Sequence, residues 1–267
     1  LEYAYMNRLH ECLLEILLDI DVALTKSDIP YFIVGGSSIG HARNGKFIPW
    51  DDDIDLVFDD VYSDRVAESL MDNLSEKYII ELPNSKENHR SYFRVVMRDT
   101  TLIRNPNEKH SLGISVELFP MVWVPDSGFA RKWFFLLMKG YIVLNDMGNY
   151  VPVFARPVIL GFKKAIRMVL DRLSEKNECS CMSSINGMFF HDIVPARIFG
   201  KPKRRLLEGH ELPFPEHLEE YLECVYGPDY MTPPPIEKQK PTYIILDFEK
   251  GWVHHMDEAH AIHKKGQ

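Results

Sequence analysis

Residues 31–58 read YFIVGGSSIGHARNGKFIPWDDDIDLVF, and two features of this stretch decide the reading of the whole chain. The first is a short β-prone run, Tyr31 to Val34, that ends abruptly at Gly35 and Gly36 and gives way to a helical segment over Ser37 to Arg43. Glycine permits backbone conformations and a closeness of approach that a side chain would forbid. The amides that follow, with the hydroxyls of Ser37 and Ser38, stand at a helix N-terminus, where unpaired N–H groups and the helix dipole favour a phosphate. No Gly-Lys-Ser/Thr follows, so this is not a Walker loop, and adjacent glycines do not make the dinucleotide fingerprint. Alone, the pattern fits a tight turn equally well.

The second feature is the run Asp51-Asp52-Asp53-Ile54-Asp55, ahead of Leu56-Val57-Phe58. Strand alternation over Asp53 to Phe58 sends Asp51, Asp53 and Asp55 to one side and Asp52 with Ile54 to the other. Carboxylates so close repel strongly in a partly buried site unless a cation neutralises them. Hard oxygen ligands suit Mg²⁺ or Mn²⁺, which bind carboxylates together with substrate phosphates. The apolar neighbours Phe47 to Trp50 and Leu56 to Phe58 argue against a solvated acidic turn. An EF-hand loop would need Gly at Leu56 and Glu at Tyr62, which excludes calcium of that kind. A third carboxylate from a neighbouring strand would complete the site, and Glu117, in Ser115-Val116-Glu117-Leu118-Phe119, is the best-placed candidate.

Outward from this core the apolar periodicity predicts a long helix over Tyr3 to Thr25 and helices over Val61–Ser75, Phe129–Leu144, Val158–Leu173 and Glu216–Tyr226. Strands are expected over Tyr78–Leu82, Tyr92–Arg98 and Ser115–Phe119, and a loop over Ser174–Asn186. The fold class is therefore α+β: an early mixed sheet flanked by helices, then a more helical C-terminal part.

Composition narrows the function. At 267 residues, with 45% hydrophobic and 26% charged residues, the chain can bury a substantial core. A formal net charge of −8 argues against nucleic acid as a partner, because sequence-independent binding needs a basic surface. The spacing of Cys12, Cys179, Cys181 and Cys224 makes neither a disulfide framework nor a zinc ribbon. The histidines at 254, 255, 260 and 263 match no zinc pattern either. Acidic residues interrupt the N-terminal apolar stretch and Lys139 interrupts the most apolar run. The expectation is a cytoplasmic protein, with peripheral association at the inner face of a membrane compatible with it.

Three separated segments resemble the LicD family, which includes fukutin and fukutin-related proteins within the nucleotidyltransferase superfamily. Tyr31 to Phe58 resembles the family's Gly-Gly-Ser turn, Gly-x-x-Arg and FIPWDDDID block. GISVELFPMVWVPD, residues 113–126, is similar to GIFIDIFPLD, with Glu117 where aspartate is usual. FGKPKRRLLEGHELPFPEHLEEYLECVYGPDYMTPPP, residues 199–235, is similar to FEG…PVP…YL…YGDYM…PP. The resemblance implies one domain over 1–267, with a nucleotidyltransferase core over 1–125 and a helical and C-terminal elaboration over 126–267. It implies Mg²⁺ or Mn²⁺ on Asp53 and Asp55, with Glu117 completing the set and Asp51 nearby. It also implies transfer of a phospho-alcohol, phosphocholine first among them, from a CDP-linked alcohol donor to a hydroxyl of a glycan or glycolipid acceptor. Arg43 and Arg94 are expected to join Gly35, Gly36, Ser37 and Ser38 on the donor phosphates, and Glu208 to contact the head group or acceptor. Ribitol phosphate, glycerol phosphate, ethanolamine and aminoethylphosphonate are alternative cargoes. A nucleotidyltransferase releasing pyrophosphate from an NTP is the rival reaction.

Overall fold

The computed structural model describes residues 2–85, 88–107, 112–175, 177–184 and 193–265. Apolar side chains recurring at helical spacing build α1 (Glu2–Lys26), whose Leu9, Leu13, Ile16, Leu17, Ile20 and Leu24 are completely or almost completely buried. Each such side chain contributes roughly 1.5–3 kcal/mol on burial. This stripe packs on a mixed sheet formed by β1 (Phe32–Val34), β2 (Ile54–Asp59), β3 (Tyr78–Glu81), β4 (Phe93–Met97) and β6 (Ser115–Val124), in the order β1-β2-β6-β4-β3. Among the described residues only β2 and β6 run parallel, and they sit at the centre, pairing Asp55 with Glu117 and Leu56 with Leu118. β1 joins β2 antiparallel with Val34 opposite Asp55. The helix α2 (Gly35–Asn44) leaves β1 directly, and α3 (Ser63–Asn73) follows β2 and packs against α1.

Beyond Pro125 the chain forms an antiparallel helical pair, α4 (Gly128–Tyr150) and α5 (Arg156–Glu175). It then returns to the sheet. β7 (Cys181–Ser184) pairs with the far half of β6, and β8 (Val194–Pro195) pairs with β7. A two-stranded hairpin, β9 (Lys203–Leu207) and β10 (His210–Phe214), turns at Glu208 and Gly209, both with positive φ. That is the backbone of a tight hairpin whose twist matches its strands. The short helix α6 (Leu218–Tyr226) packs on α2, β11 (Ile245–Asp247) pairs with β5 (Thr101–Ile103), and α7 (Met256–Lys265) ends the chain.

Three local expectations are corrected. The strand starts at Ile54, so Asp53 belongs to the irregular approach rather than to β2. The helix after β1 starts at the glycines themselves, because Gly35 takes φ +67° and turns the chain within one residue. The expected loop over Ser174–Asn186 contains β7, since the free edge of β6 offers ladder partners that override a weak local pattern; Lys176, Ile185 and Asn186 lie outside the described residues. The four cysteines are free thiols.

Gly40 shows how tightly the first motif is folded on itself: a Cβ there would collide with the backbone carbonyl of Lys46 and crowd the Ile48 amide at 3.1 Å. Gly40→Ala should therefore destabilise the protein by about 1–3 kcal/mol, visible as a lowered Tm. An unchanged Tm would show that the turn over residues 46–48 yields freely.

Candidate active site

The two glycines exist to admit carboxylates. A Cβ on Gly35 would lie 2.9 Å from Oδ2 of Asp55, and one on Gly36 would overlap the Asp51 carboxylate. Asp51 and Asp55 thus press directly against the first turn of α2. No side chain caps that turn at Val34, so its unpaired N–H groups place partial positive charge beside the acids. His10 Nε2 lies 2.8 Å from the Asp51 carbonyl oxygen and donates to it, which fixes the backbone of the acidic run from the side of α1.

Asp52 turns the other way and is buried in a closed set of bonds. It accepts from Arg104 Nη2 at 3.0 Å, from the Thr242 amide at 2.7 Å and hydroxyl at 2.9 Å, and from the Tyr243 amide at 3.2 Å. Asp53 shares Arg104, at 3.1 Å. Burial opposes charge on Arg104, yet Asp53 and Asp52 hold its guanidinium protonated above its ordinary value. Arg104 is the residue the motifs did not announce. It follows β5, in an ordinary strand-and-turn sequence, and reaches the acids only through the tertiary fold.

One arginine does not neutralise this cluster. Burial, then Asp53 and Asp52, push the Asp51 carboxyl up to about 8. Burial raises Asp53 too, against the pull of Arg104, and Asp55 is raised well above the carboxylate range by burial and by Asp53, Glu117 and Asp51. Oδ2 of Asp51 is buried and has no hydrogen-bond partner. Among the described residues no group of three His, Cys, Asp or Glu side chains is placed to hold a metal ion, so Asp53, Asp55 and Glu117 do not come together as the expected three-ligand set. A pair of hard oxygen ligands completed by substrate phosphates is nevertheless the ordinary arrangement for Mg²⁺. The raised carboxyls and the orphaned oxygen fit that demand for positive charge.

The remaining expected residues fall in different places. Glu117 stands beside Asp55 across the parallel ladder and accepts from Arg94 Nε at 3.2 Å. Arg94 is buried and also donates to Glu81 at 2.8 Å and to Ser115 Oγ at 2.9 Å, so it orients Glu117 rather than facing open space. Arg43 donates to the carbonyls of Tyr230 at 2.8 Å and Thr232 at 3.2 Å, tying the third motif to α2. Ser38 donates to the Ile33 carbonyl at 2.8 Å, while Ser37 Oγ is buried with no partner. Glu208 accepts from the Phe47 amide at 2.8 Å and so pins the turn that precedes the acids. Arg43, Arg94, Ser38 and Glu208, as placed, build the site's frame.

Gly35 and Asp55 open onto a cleft of about 260 Å³. Its walls come from Val57 of β2, Phe119 and Met121 of β6, Phe199, and Tyr221 and Tyr226 of α6, so all three sequence motifs meet at one cavity. A parallel strand pair that sets Asp55 beside Glu117 thus lies next to a helix opened by glycines. Residues 28–137 match the family model described as LicD/FKTN/FKRP, nucleotidyltransferase domain, which supports LicD family membership over that stretch. That family is generally one of transferases, and the match suggests transfer of phospho-alcohol groups in glycan or lipopolysaccharide biosynthesis. The matched stretch contains the first two motifs and stops before the third. No curated protein matches the chain in sequence.

The acid cluster has a thermodynamic signature. Asp51 binds its proton more tightly folded than unfolded, so its contribution to stability is complete below about pH 4 and is lost as pH rises through about 8. With divalent ions chelated, Tm should fall between pH 5 and pH 8. Asp51→Asn should remove at least about 3 °C of that fall, the change that ~1 kcal/mol makes in a chain of this size. A Tm that climbs across this window, or a fall unaltered by the substitution, would show that Asp51 carries no such burden.

Proposed function

We propose that the protein transfers phosphocholine from CDP-choline to a sugar hydroxyl of a glycan or glycolipid, with Mg²⁺ or Mn²⁺ as cofactor. The observation that carries this reading is the cleft in which the glycine turn, Asp55 and the aromatic side chains of the third motif face a common space.

Asp53 and Asp55 would hold the cation, which when bound would neutralise charge that builds on the donor pyrophosphate. The first-turn amides of α2 at Gly35, Gly36 and Ser37 orient donor phosphate oxygens. The acceptor hydroxyl oxygen forms its bond to the phosphorus that carries choline, the bond from that phosphorus to the CMP oxygen breaks, and CMP leaves. Asp51 takes the hydroxyl proton; its affinity for protons near neutral pH suits it to that role. Glu117 is held by Arg94 and maintains the negative potential behind Asp55. Positioning and charge do the catalysis, without a covalent enzyme intermediate. Choline is favoured among the cargoes because Phe119, Phe199, Tyr221 and Tyr226 line the cavity next to Asp55. Aromatic faces attract quaternary ammonium, and a neighbouring carboxylate adds to that attraction.

The test is a screen of CDP-choline, CDP-ethanolamine, CDP-glycerol, CDP-ribitol and CTP, with Mg²⁺ or Mn²⁺ and a panel of oligosaccharide acceptors, read as CMP or pyrophosphate release. CDP-choline should be consumed with CMP release, and Asp53→Asn or Asp55→Asn should lower kcat/KM by roughly a thousandfold. Tyr226→Ala should raise KM for CDP-choline about tenfold while changing KM for CDP-glycerol little. Consumption of CTP with pyrophosphate release, or turnover that survives Asp53→Asn, would overturn the proposal.

A further inference from the structure

The α4–α5 pair presents an apolar face that the catalytic cleft does not use. On α4, Phe129, Trp133, Leu136 and Val143 recur at helical spacing and point to solvent, Phe129 at 76% and Trp133 at 49% exposure. The opposite side of the same helix buries Phe134, Met138 and Tyr141 in a cluster with Val122 and Val124 of β6 and Leu170 of α5. On α5, Val158, Phe162 and Val169 form a second outward stripe, with Phe162 60% exposed, while Lys163 and Leu170 face inward. The helices pack on each other and share one buried cluster, and both stripes face solvent away from that cluster. Large apolar side chains exposed in this number on one helical pair mark an interaction site.

Charge says what covers it. Residues 128–175 contain eight basic residues against three acidic ones, in a chain whose formal net charge is −8. Lys132, Lys139, Lys164 and Arg172 are exposed alongside the stripes. Basic residues flanking outward Phe and Trp are the composition of a helix that lies in a lipid interface, its rings among the acyl chains and its cations among anionic head groups. No helix among the described residues is long and apolar enough to cross a membrane, so the pair lies on the surface rather than spanning it. We propose that the outer face of α4 and α5 docks the protein onto an anionic lipid bilayer. The surface is independent of the chemistry at the acid cluster and stands or falls separately from it.

Co-sedimentation of the full chain with phosphatidylcholine vesicles, with and without phosphatidylglycerol, tests this. Binding to the anionic vesicles is expected, weakening with added salt. Lys132→Gln combined with Lys164→Gln should weaken it by about thirtyfold, and Phe129→Ser with Phe162→Ser should abolish it while leaving Tm and donor turnover unchanged. Because those side chains are exposed, the serine variant keeps the core intact. Equal affinity for neutral and anionic vesicles, or none for either, overturns the proposal. So does self-association, measured by light scattering, that the serine variant abolishes in the absence of vesicle binding; a second copy of the chain would then be the occupant.

Discussion

The structure is organised around concentrated negative charge. Asp51, Asp53, Asp55 and Glu117 interact with one another in a partly buried wall, and the cations supplied there are Arg104, shared by Asp52 and Asp53, and Arg94, shared by Glu81 and Glu117. Crowding of this order raises carboxyl proton affinity and costs folding free energy unless something positive arrives. Gly35 and Gly36 make sense in this light. They remove the atoms that would keep the acids away from the positive end of α2. The parallel pairing of β2 with β6, in an otherwise antiparallel sheet, brings Glu117 alongside Asp55.

Holding such a cluster takes support from distant parts of the chain. Thr242 and Tyr243 close around Asp52 from nearly two hundred residues away, and Arg104 joins them through the Thr242 hydroxyl. Glu208 fixes the turn before the acids, and His10 fixes the carbonyl of Asp51. Arg43 draws residues 230–232 onto α2, next to the helix α6 that supplies Tyr221 and Tyr226 to the cleft. Polar contacts of this kind are directional, so each limits where the carboxylates can sit. The third motif thereby acquires a physical role: it walls the cavity and braces the first motif.

Much of this was legible in the residues. The apolar period of α1, the abrupt stop of β1 at two glycines, and the pairing of an Asp-x-Asp run with an apolar strand are local signals, and local signals survive folding. The acidic neighbour Glu117 was legible because its strand is strongly patterned. Other features depend on tertiary contacts that no short window contains. The expectation that Arg94 would join the donor phosphates rested on the family resemblance; strand alternation tells which residues share a face and not what covers that face, and here Glu81 and Ser115 do. Arg104 sits in a turn with no motif around it. β7 formed from a polar stretch because the long strand β6 left an open edge, and Glu208 adopted positive φ because the hairpin demanded it.

The decisive quantity is cation binding by the carboxylates themselves, apart from any turnover. Electron paramagnetic resonance of Mn²⁺ titrated into the purified protein with CDP-choline present counts bound ions directly. One saturable Mn²⁺ site is expected, displaced competitively by Mg²⁺, releasing protons as it fills, and lost in Asp55→Asn while Asp52→Asn is tested separately for folding. Binding undiminished in Asp55→Asn, or no ordered Mn²⁺ with a properly folded protein and saturating donor, would contradict it.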